Sequence, residues 1–150
     1  MDKLKQWLKE NVLYIAWIQA ILAMGGSLFF SEILKYPPCV LCWYQRICMY
    51  PLVAIIAVGI AKKDKNLAWY VLPLSIIGLG IAIFHNLLYY NIIPEAIAPC
   101  IQGVSCTTKF IEYFGFITIP FLSMVSFIVV TACIIYYHLS HKTTSHEKRN

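Results

Sequence analysis

Residues 67–90 read LAWYVLPLSIIGLGIAIFHNLLYY and contain no Asp, Glu, Lys or Arg. A helix crosses the hydrocarbon core of a bilayer with roughly 20 apolar residues, so this stretch is long enough to span a membrane. Because lipid offers backbone groups no hydrogen-bond partner, a helix is the structure expected for it. The stretch therefore predicts a transmembrane helix and not part of a soluble core.

Similar apolar stretches lie on both sides of this one. The chain is 60% hydrophobic and only 13% charged, with a mean hydropathy of +0.70. A soluble domain of 150 residues could not bury that much apolar surface. We therefore predict an all-α membrane protein, a four-transmembrane-helix bundle that occupies residues 1–150 as one domain and ends in a disordered polar tail at 140–150. The predicted spans are about residues 12–30, 43–61, 67–90 and 114–138.

The basic residues are unevenly divided between the two sides of such a bundle. Nine of the twelve fall on the side that holds both termini and the turn at residues 62–66. The other three, Lys35, Arg46 and Lys109, lie in or beside the two remaining loops. Cytoplasmic loops carry the excess of Lys and Arg, so we expect both termini to be cytoplasmic and the two short loops to be extracytoplasmic. The positive charge thus indicates topology, and no nucleic-acid partner is expected, since no basic face accompanies it.

The first apolar stretch could instead be a cleaved signal peptide. Lys3, Lys5 and Lys9 would form its basic region, and Ala23-Met24-Gly25 has small residues at the spacing of a cleavage site. The apolar run continues through Phe30, however, and its removal would leave three spans. As a transmembrane helix, the same stretch would use small residues such as Gly25 and Gly26, like Gly78 and Gly80 in the third span, for close helix packing.

Four of the six cysteines lie in or beside the two extracytoplasmic loops. Cys39 and Cys42 form a Cys-x-x-Cys pair at the start of the second helix, and Cys100 and Cys106 lie in the second loop. A zinc site, two structural disulfides and a redox relay are the alternatives. The loops are too short for a compact zinc module, so no metal site is predicted. A disulfide across Cys-x-x-Cys closes too small a loop to add much stability.

The surroundings of Cys39 and Cys42 favour redox chemistry. A helix N-terminus and nearby cations stabilise the thiolate, which is the reactive form of cysteine. Arg46 follows Cys42 by four residues and so lies on the same helical face, one turn deeper. It could stabilise the Cys42 thiolate or the anion of an electron acceptor, or it could extend towards lipid headgroups. Cys48 and Cys133 lie inside apolar runs and are predicted to be buried small hydrophobes.

The segment Cys39-Val-Leu-Cys42-Trp-Tyr-Gln-Arg46 resembles the Cys-x-x-Cys-x-Tyr-x-Arg signature of the DsbB family of bacterial membrane disulfide oxidoreductases. The four spans and the second cysteine pair extend the resemblance over nearly the whole chain. Cys100 and Cys106 are separated by only five residues, which is similar to the compact BdbC-like subgroup. In the related vitamin K epoxide reductase family, the loop cysteines precede the Cys-x-x-Cys pair instead.

The resemblance implies a function, a cofactor and a partner. A reduced extracytoplasmic thioredoxin-like protein, similar to DsbA or BdbD, would attack the Cys100–Cys106 disulfide at Cys100. Cys106 would exchange with Cys39, and Cys42, freed beside Arg46, would reduce a membrane quinone, either menaquinone or ubiquinone. The four cysteines would be catalytic, and Cys42 and Arg46 would bind the quinone. Such a protein would lie in the cell membrane and support disulfide formation in exported proteins.

Two further residues are weaker candidates. His85, near the outer end of the third helix, could approach Arg46 and the quinone head, since a polar residue at that depth is a functional candidate. Tyr44 is a possible neighbour of the quinone, and with Trp43, Tyr89 and Tyr90 a possible anchor at the membrane interface.

Two other classes of function remain as alternatives. The first is a small transporter or scaffold held together by structural disulfides. Four-helix drug exporters carry a carboxylate inside the membrane to couple transport to protons, whereas every Asp and Glu of this chain lies outside the predicted spans. The same relay run in reverse would export reducing equivalents. That direction would favour a dithiol facing the cytosol, which the predicted topology does not supply.

Overall fold

The computed structural model describes residues 2–94, 106 and 118–147. These residues form four long helices, and no strand occurs among them. The helices are α1 Asp2–Leu28, α2 Val40–Lys62, α3 Leu67–Tyr89 and α4 Ile119–Glu147. One turn of π-helix, Phe29–Ile33, prolongs α1.

Each helix contains a segment long and apolar enough to cross a bilayer. The four segments are Asn11–Ile33, Val40–Lys62, Leu67–Tyr89 and Ile119–Ser140. The predicted fold class, an all-α bundle of four transmembrane helices, is therefore confirmed for the described part of the chain.

The helices are arranged as a square bundle. Helices α1 and α3 lie at opposite corners, and each packs against both α2 and α4. Small residues of α1, Ala16 and Ala20, and large ones of α4, such as Phe127, are buried completely at the centre. Large apolar side chains on the outside are exposed, among them Trp69 at 70%. An apolar exterior of this kind is suited to lipid, where helices associate through close packing and interhelical hydrogen bonds.

Hydrogen bonds between helices or their ends support this packing. On α1, the Trp17 indole N–H donates to the Val53 carbonyl at 3.1 Å, and Gln19 Nε2 donates to Ser126 Oγ at 3.1 Å. At the opposite corner, Asn86 Nδ2 donates to the Pro120 carbonyl and the Tyr137 hydroxyl to the Asp64 carbonyl. Helix α1 is thus an integral part of the bundle, joined by hydrogen bonds to both of its neighbours.

The helices extend beyond several predicted boundaries. Helix α1 begins at Asp2 because residues 2–11 contain neither Gly nor Pro and consist mainly of good helix formers. The π-turn carries the first span past residue 30, so Glu32 is exposed in the last turn of a span instead of lying beyond it. Helix α4 continues to Glu147, into the stretch predicted to be a disordered tail, since residues 121–147 contain neither Gly nor Pro. The predicted start of the fourth span, residue 114, lies outside the described residues.

Only one of the four glycines predicted to be packing points is used in that way. At Gly78 an added Cβ would collide with the ring of Phe127, which comes from α4 and is completely buried. Around Gly25, Gly26 and Gly80, an added Cβ would meet no atom within 4 Å. The prediction is therefore confirmed at Gly78 and wrong at the other three.

The substitution Gly78→Ala is expected to destabilise the bundle by about 1–3 kcal/mol, the usual cost of overpacking a filled core. The Phe127 ring is completely buried, so it cannot move aside into solvent or lipid. Gly80→Ala, two residues along the same helix, is the matched control and should be neutral or slightly stabilising, since alanine favours helix. Thermal unfolding in detergent measures both variants. Equal unfolding temperatures for the two would contradict the close approach of α3 and α4.

Candidate active site

The first cysteine pair lies at the N-terminus of α2, where Cys39 is the N-cap residue. Its backbone is extended, and its Sγ accepts a hydrogen bond from the Cys42 backbone N–H at 3.3 Å. This is the bond that serine or aspartate makes at other helix starts. The cap lets α2 begin at Val40, three residues before the predicted span, and it places Cys39 where the helix dipole favours a negative charge.

The two sulfurs of this pair are in contact. Cys39 and Cys42 are both free thiols, and their Sγ atoms are 2.9 Å apart. The hydrogen bond from the Cys42 side chain lowers the pKa of Cys39 well below its ordinary value, and His85 lowers it further, although burial opposes both. The 2.9 Å separation of the two sulfurs therefore suits a pair that forms and breaks a disulfide with little movement.

His85 lies beside both Cys39 and Cys106. The side chain is only 2% exposed. Its Nε2 is 3.2 Å from the Cys106 carbonyl oxygen and 3.8 Å from Cys39 Sγ. Its other ring nitrogen, Nδ1, is 3.0 Å from Gln45 Nε2. The histidine thus links the start of α2 to the second loop.

Cys106 is buried against the first pair. It is disulfide-bonded and 3% exposed, and it packs in a small apolar cluster with Cys39, Leu41 and Leu88. Cys39 Sγ, Cys106 Sγ and a ring nitrogen of His85 all lie within 4.8 Å of one another. At that separation no other atom fits between the two sulfurs. The structure therefore brings together one cysteine from each predicted pair.

Arg46 is directed towards the end of α1. Its Nε donates to Ser27 Oγ and its NH2 group to the Ser27 carbonyl, both at 2.8 Å, and its guanidinium lies over the Trp43 ring. These bonds hold the partly buried guanidinium against the end of α1. Cys42 lies one helical turn from Arg46, on the same face of α2.

A cavity of about 310 Å³ adjoins the first cysteine pair. Cys42, Arg46 and Tyr50 line it along α2, and its other walls come from α1, α4, the end of α3, the loop before α2 and Cys106. Several lining residues also lie on the outer, lipid-facing surface, including Leu22 at 63% and Leu122 at 44% exposure. The Tyr50 hydroxyl is buried and has no hydrogen-bond partner among the described residues. The cavity is thus apolar, accessible from the bilayer, and equipped with a few polar groups.

The remaining sequence candidates have different positions. Cys100 lies outside the described residues, so its pairing with Cys106 stays a prediction. Tyr44 is 45% exposed and does not line the cavity, whereas Tyr89 is buried and does. Cys48 is buried and Cys133 partly buried, and both are free thiols, as predicted for small hydrophobes.

One cluster has the composition of a metal site. Cys39, His85 and Cys106 offer two sulfurs and one nitrogen. Zinc binds thiolates, however, and the Cys106 sulfur is already in a disulfide. In this oxidation state the three residues are therefore not a complete set of zinc ligands.

Two residues of the site escaped prediction. Gln45 is 6% exposed and contacts His85, and Ser27 binds Arg46. Gln45 is an amide inside a predicted transmembrane helix, where it needs a hydrogen-bond partner, and this could have identified it as a candidate. Nothing near Ser27 in the sequence indicates its contact, which joins residues 19 positions apart.

The sequence is similar to a known family over most of its length. Residues 9–137 match the model of the family "Disulfide bond formation protein DsbB". Disulfide bond formation protein C of Bacillus subtilis is 50% identical over 120 residues, which cover 79% of this chain and 86% of that protein. A probable disulfide formation protein C of Halalkalibacterium halodurans is 45% identical and covers 83% and 90%, and a probable disulfide formation protein of Oceanobacillus iheyensis is 47% identical and covers 81% and 84%. No solved structure gives a significant match.

Proposed function

Because the chain belongs to the DsbB family of disulfide bond formation proteins, and is thus a multi-pass membrane protein, we propose that it oxidises an extracytoplasmic thioredoxin-like dithiol and passes the electrons to membrane quinone. The observation that carries this proposal is the contact between Cys39 and Cys106, one cysteine from each pair, within 4.8 Å. Two unrelated structural disulfides would have no reason to share a buried cluster with a histidine between them.

The contact favours one order of exchange. The partner's thiolate attacks Cys100, its sulfur bonds to Cys100, and Cys106 leaves as a thiolate. Cys106 then attacks Cys39 of an oxidised Cys39–Cys42 pair, so that a Cys39–Cys106 bond forms and the electron pair leaves on Cys42. Thiol exchange of this kind needs an accessible attacking thiolate and a stabilised leaving thiolate. The helix N-terminus and Arg46 supply that stabilisation for Cys42.

The cavity beside Cys42 fits a quinone. Its volume of about 310 Å³ is within the range of small-molecule sites, which begins near 300 Å³. Arg46 and the Tyr50 hydroxyl, which has no partner among the described residues, are possible hydrogen-bond donors in a mainly apolar cavity. A bound quinone would accept two electrons and two protons at this site. Cys42 and Arg46 are thus the proposed quinone-binding residues, and menaquinone and ubiquinone both meet these requirements.

The proposed direction of transfer depends on topology. The nine-to-three division of basic residues supports cytoplasmic termini, which would put both cysteine pairs on the extracytoplasmic face. In that position, the protein would recharge a partner that introduces disulfides into exported proteins.

Purified protein in lipid nanodiscs tests the proposal when it is mixed with a reduced thioredoxin-fold dithiol protein and a short-tailed quinone. We expect the absorbance of the oxidised quinone to fall by one equivalent for each dithiol consumed. The Cys100→Ser variant should stop the reaction with this protein substrate, and a partner without its two cysteines should be inert. Quinone reduction that continues at the full rate in Cys100→Ser would exclude the proposed entry point, and its absence in the unaltered protein would exclude the function.

A further inference from the structure

The bonding around His85 determines which of its nitrogens carries a proton. The Cys106 carbonyl oxygen can only accept a hydrogen bond, so the Nε2 atom facing it at 3.2 Å must be the donor. In the neutral ring, Nδ1 is then an acceptor, and it receives the bond from Gln45 Nε2 at 3.0 Å. Both residues are buried, at 2% and 6% exposure, so neither bond competes with bulk water. Gln45 therefore orients the imidazole with its N–H towards Cys106 and Cys39.

We propose that His85, oriented by Gln45, is a positioning residue that holds the Cys106 backbone against Cys39 so that the two cysteine pairs exchange without a large loop movement. This inference rests on the proposed function and adds a structural device to it. The device joins α2, α3 and the second loop through two side chains, in a region where Cys39, Cys106 and Leu88 are all packed together. It would explain how a short second loop with closely spaced cysteines delivers Cys106 to Cys39.

The step that His85 positions is the internal exchange. Cys106 thiolate attacks Cys39 Sγ, the Cys39–Cys106 bond forms, the Cys39–Cys42 bond breaks, and Cys42 keeps the electron pair. No proton is transferred to or from His85. The imidazole N–H stays hydrogen-bonded to the Cys106 carbonyl and so holds the backbone of the attacking residue. The same nitrogen is 3.8 Å from Cys39 Sγ, so the attacked sulfur lies beside the same imidazole.

The Cys42→Ser/Cys100→Ser protein allows this device to be measured without quinone or partner. Of the four site cysteines only Cys39 and Cys106 remain, and glutathione buffers of known ratio set the equilibrium between their two thiols and their disulfide. The disulfide fraction, read from mass shifts after alkylation, gives the effective concentration of one thiol at the other. Loss of one buried neutral hydrogen bond in His85→Phe should lower this concentration about tenfold. His85→Gln, which can still donate from a similar position, should stay within roughly threefold of the parent.

Gln45 supplies a second, independent test. Gln45→Leu should lower the effective concentration about threefold but should have no further effect when His85→Phe is already present, because Gln45 acts only through His85. Gln45→Glu should keep most of the parent value, since a carboxylate can bind a protonated Nδ1 while Nε2 still donates. If His85→Phe fails to fold, the difference between the Leu and Glu variants at position 45 still decides the question.

Ser75→Ala is the matched control. Ser75 is also buried on α3 and donates a side-chain hydrogen bond to its own helix, but it does not line the cavity. It should leave the glutathione equilibrium unchanged. An unchanged equilibrium in His85→Phe, or additive effects of the position 45 and 85 substitutions, would overturn the proposal. Such a failure would leave the proposed function intact, because the measurement contains neither quinone nor partner.

Discussion

Replacing Cys42 with serine is expected to lower the rate of quinone reduction by at least about 1,000-fold, the scale of effect seen when a catalytic nucleophile is removed. A serine hydroxyl is not ionised near neutral pH, so it can neither leave as a stabilised anion nor close a disulfide with Cys39. The loss should persist with every dithiol substrate, because all electrons reach the cavity through this sulfur. The measurement is the steady-state disappearance of quinone absorbance in nanodiscs.

Cys48→Ala is the matched control for this prediction. Cys48 is a free, buried thiol on the same helix, but it lies in the bundle core and does not line the cavity. Its variant should retain quinone reduction within about twofold, since a small apolar residue replaces a small apolar residue. More than a tenth of the activity remaining in Cys42→Ser would show that electrons leave the protein by another route.

Replacing Arg46 with methionine is expected to reduce turnover about 100-fold, as removal of a preorganised donor at a site of developing negative charge commonly does. Methionine preserves much of the apolar stem but neither the charge nor the two bonds to Ser27. Arg46→Lys should recover about a tenth of the activity, since lysine keeps the charge but cannot make both bonds with fixed geometry. Turnover as a function of quinone concentration separates weaker binding from a slower reaction.

Lys35→Met provides the control for charge alone. Lys35 is an exposed cation in the loop between α1 and α2 and does not line the cavity. Its removal should leave both kcat and KM for quinone nearly unchanged. Equal losses in the Lys35 and Arg46 variants would reduce the role of Arg46 to a general electrostatic effect.

The four helices and the location of the first cysteine pair were predictable because they depend on local properties of the sequence. Length and hydropathy define a span such as Leu67–Tyr89, and a Cys-x-x-Cys pair after two prolines indicates a helix start. Helix ends were less predictable. The tail beyond residue 140 is polar, but it contains no residue that stops a helix, so α4 continues to Glu147.

The internal contacts were much less predictable, for a physical reason specific to lipid. A transmembrane helix is apolar on all faces, so its periodicity does not distinguish the side facing neighbours from the side facing lipid. Gly78 meets Phe127 while Gly80, two residues later, meets nothing, and Tyr89 is buried while Tyr44 is exposed. His85 was expected near the quinone. It does line the cavity, but its hydrogen-bond partners are Gln45 and Cys106, which only the tertiary structure brings to it.

The internal exchange between Cys106 and Cys39 can be captured directly in the unaltered chain. The fully oxidised protein is mixed with a reduced thioredoxin-like partner that lacks its second active-site cysteine, so that the mixed disulfide cannot resolve. After acid quenching and alkylation, mass spectrometry maps every disulfide. We predict a partner–Cys100 bond, a Cys39–Cys106 bond and a free thiol at Cys42 in the same molecule. An intact Cys39–Cys42 bond with a free Cys106 thiol, or a partner bonded directly to Cys39, would contradict the relay.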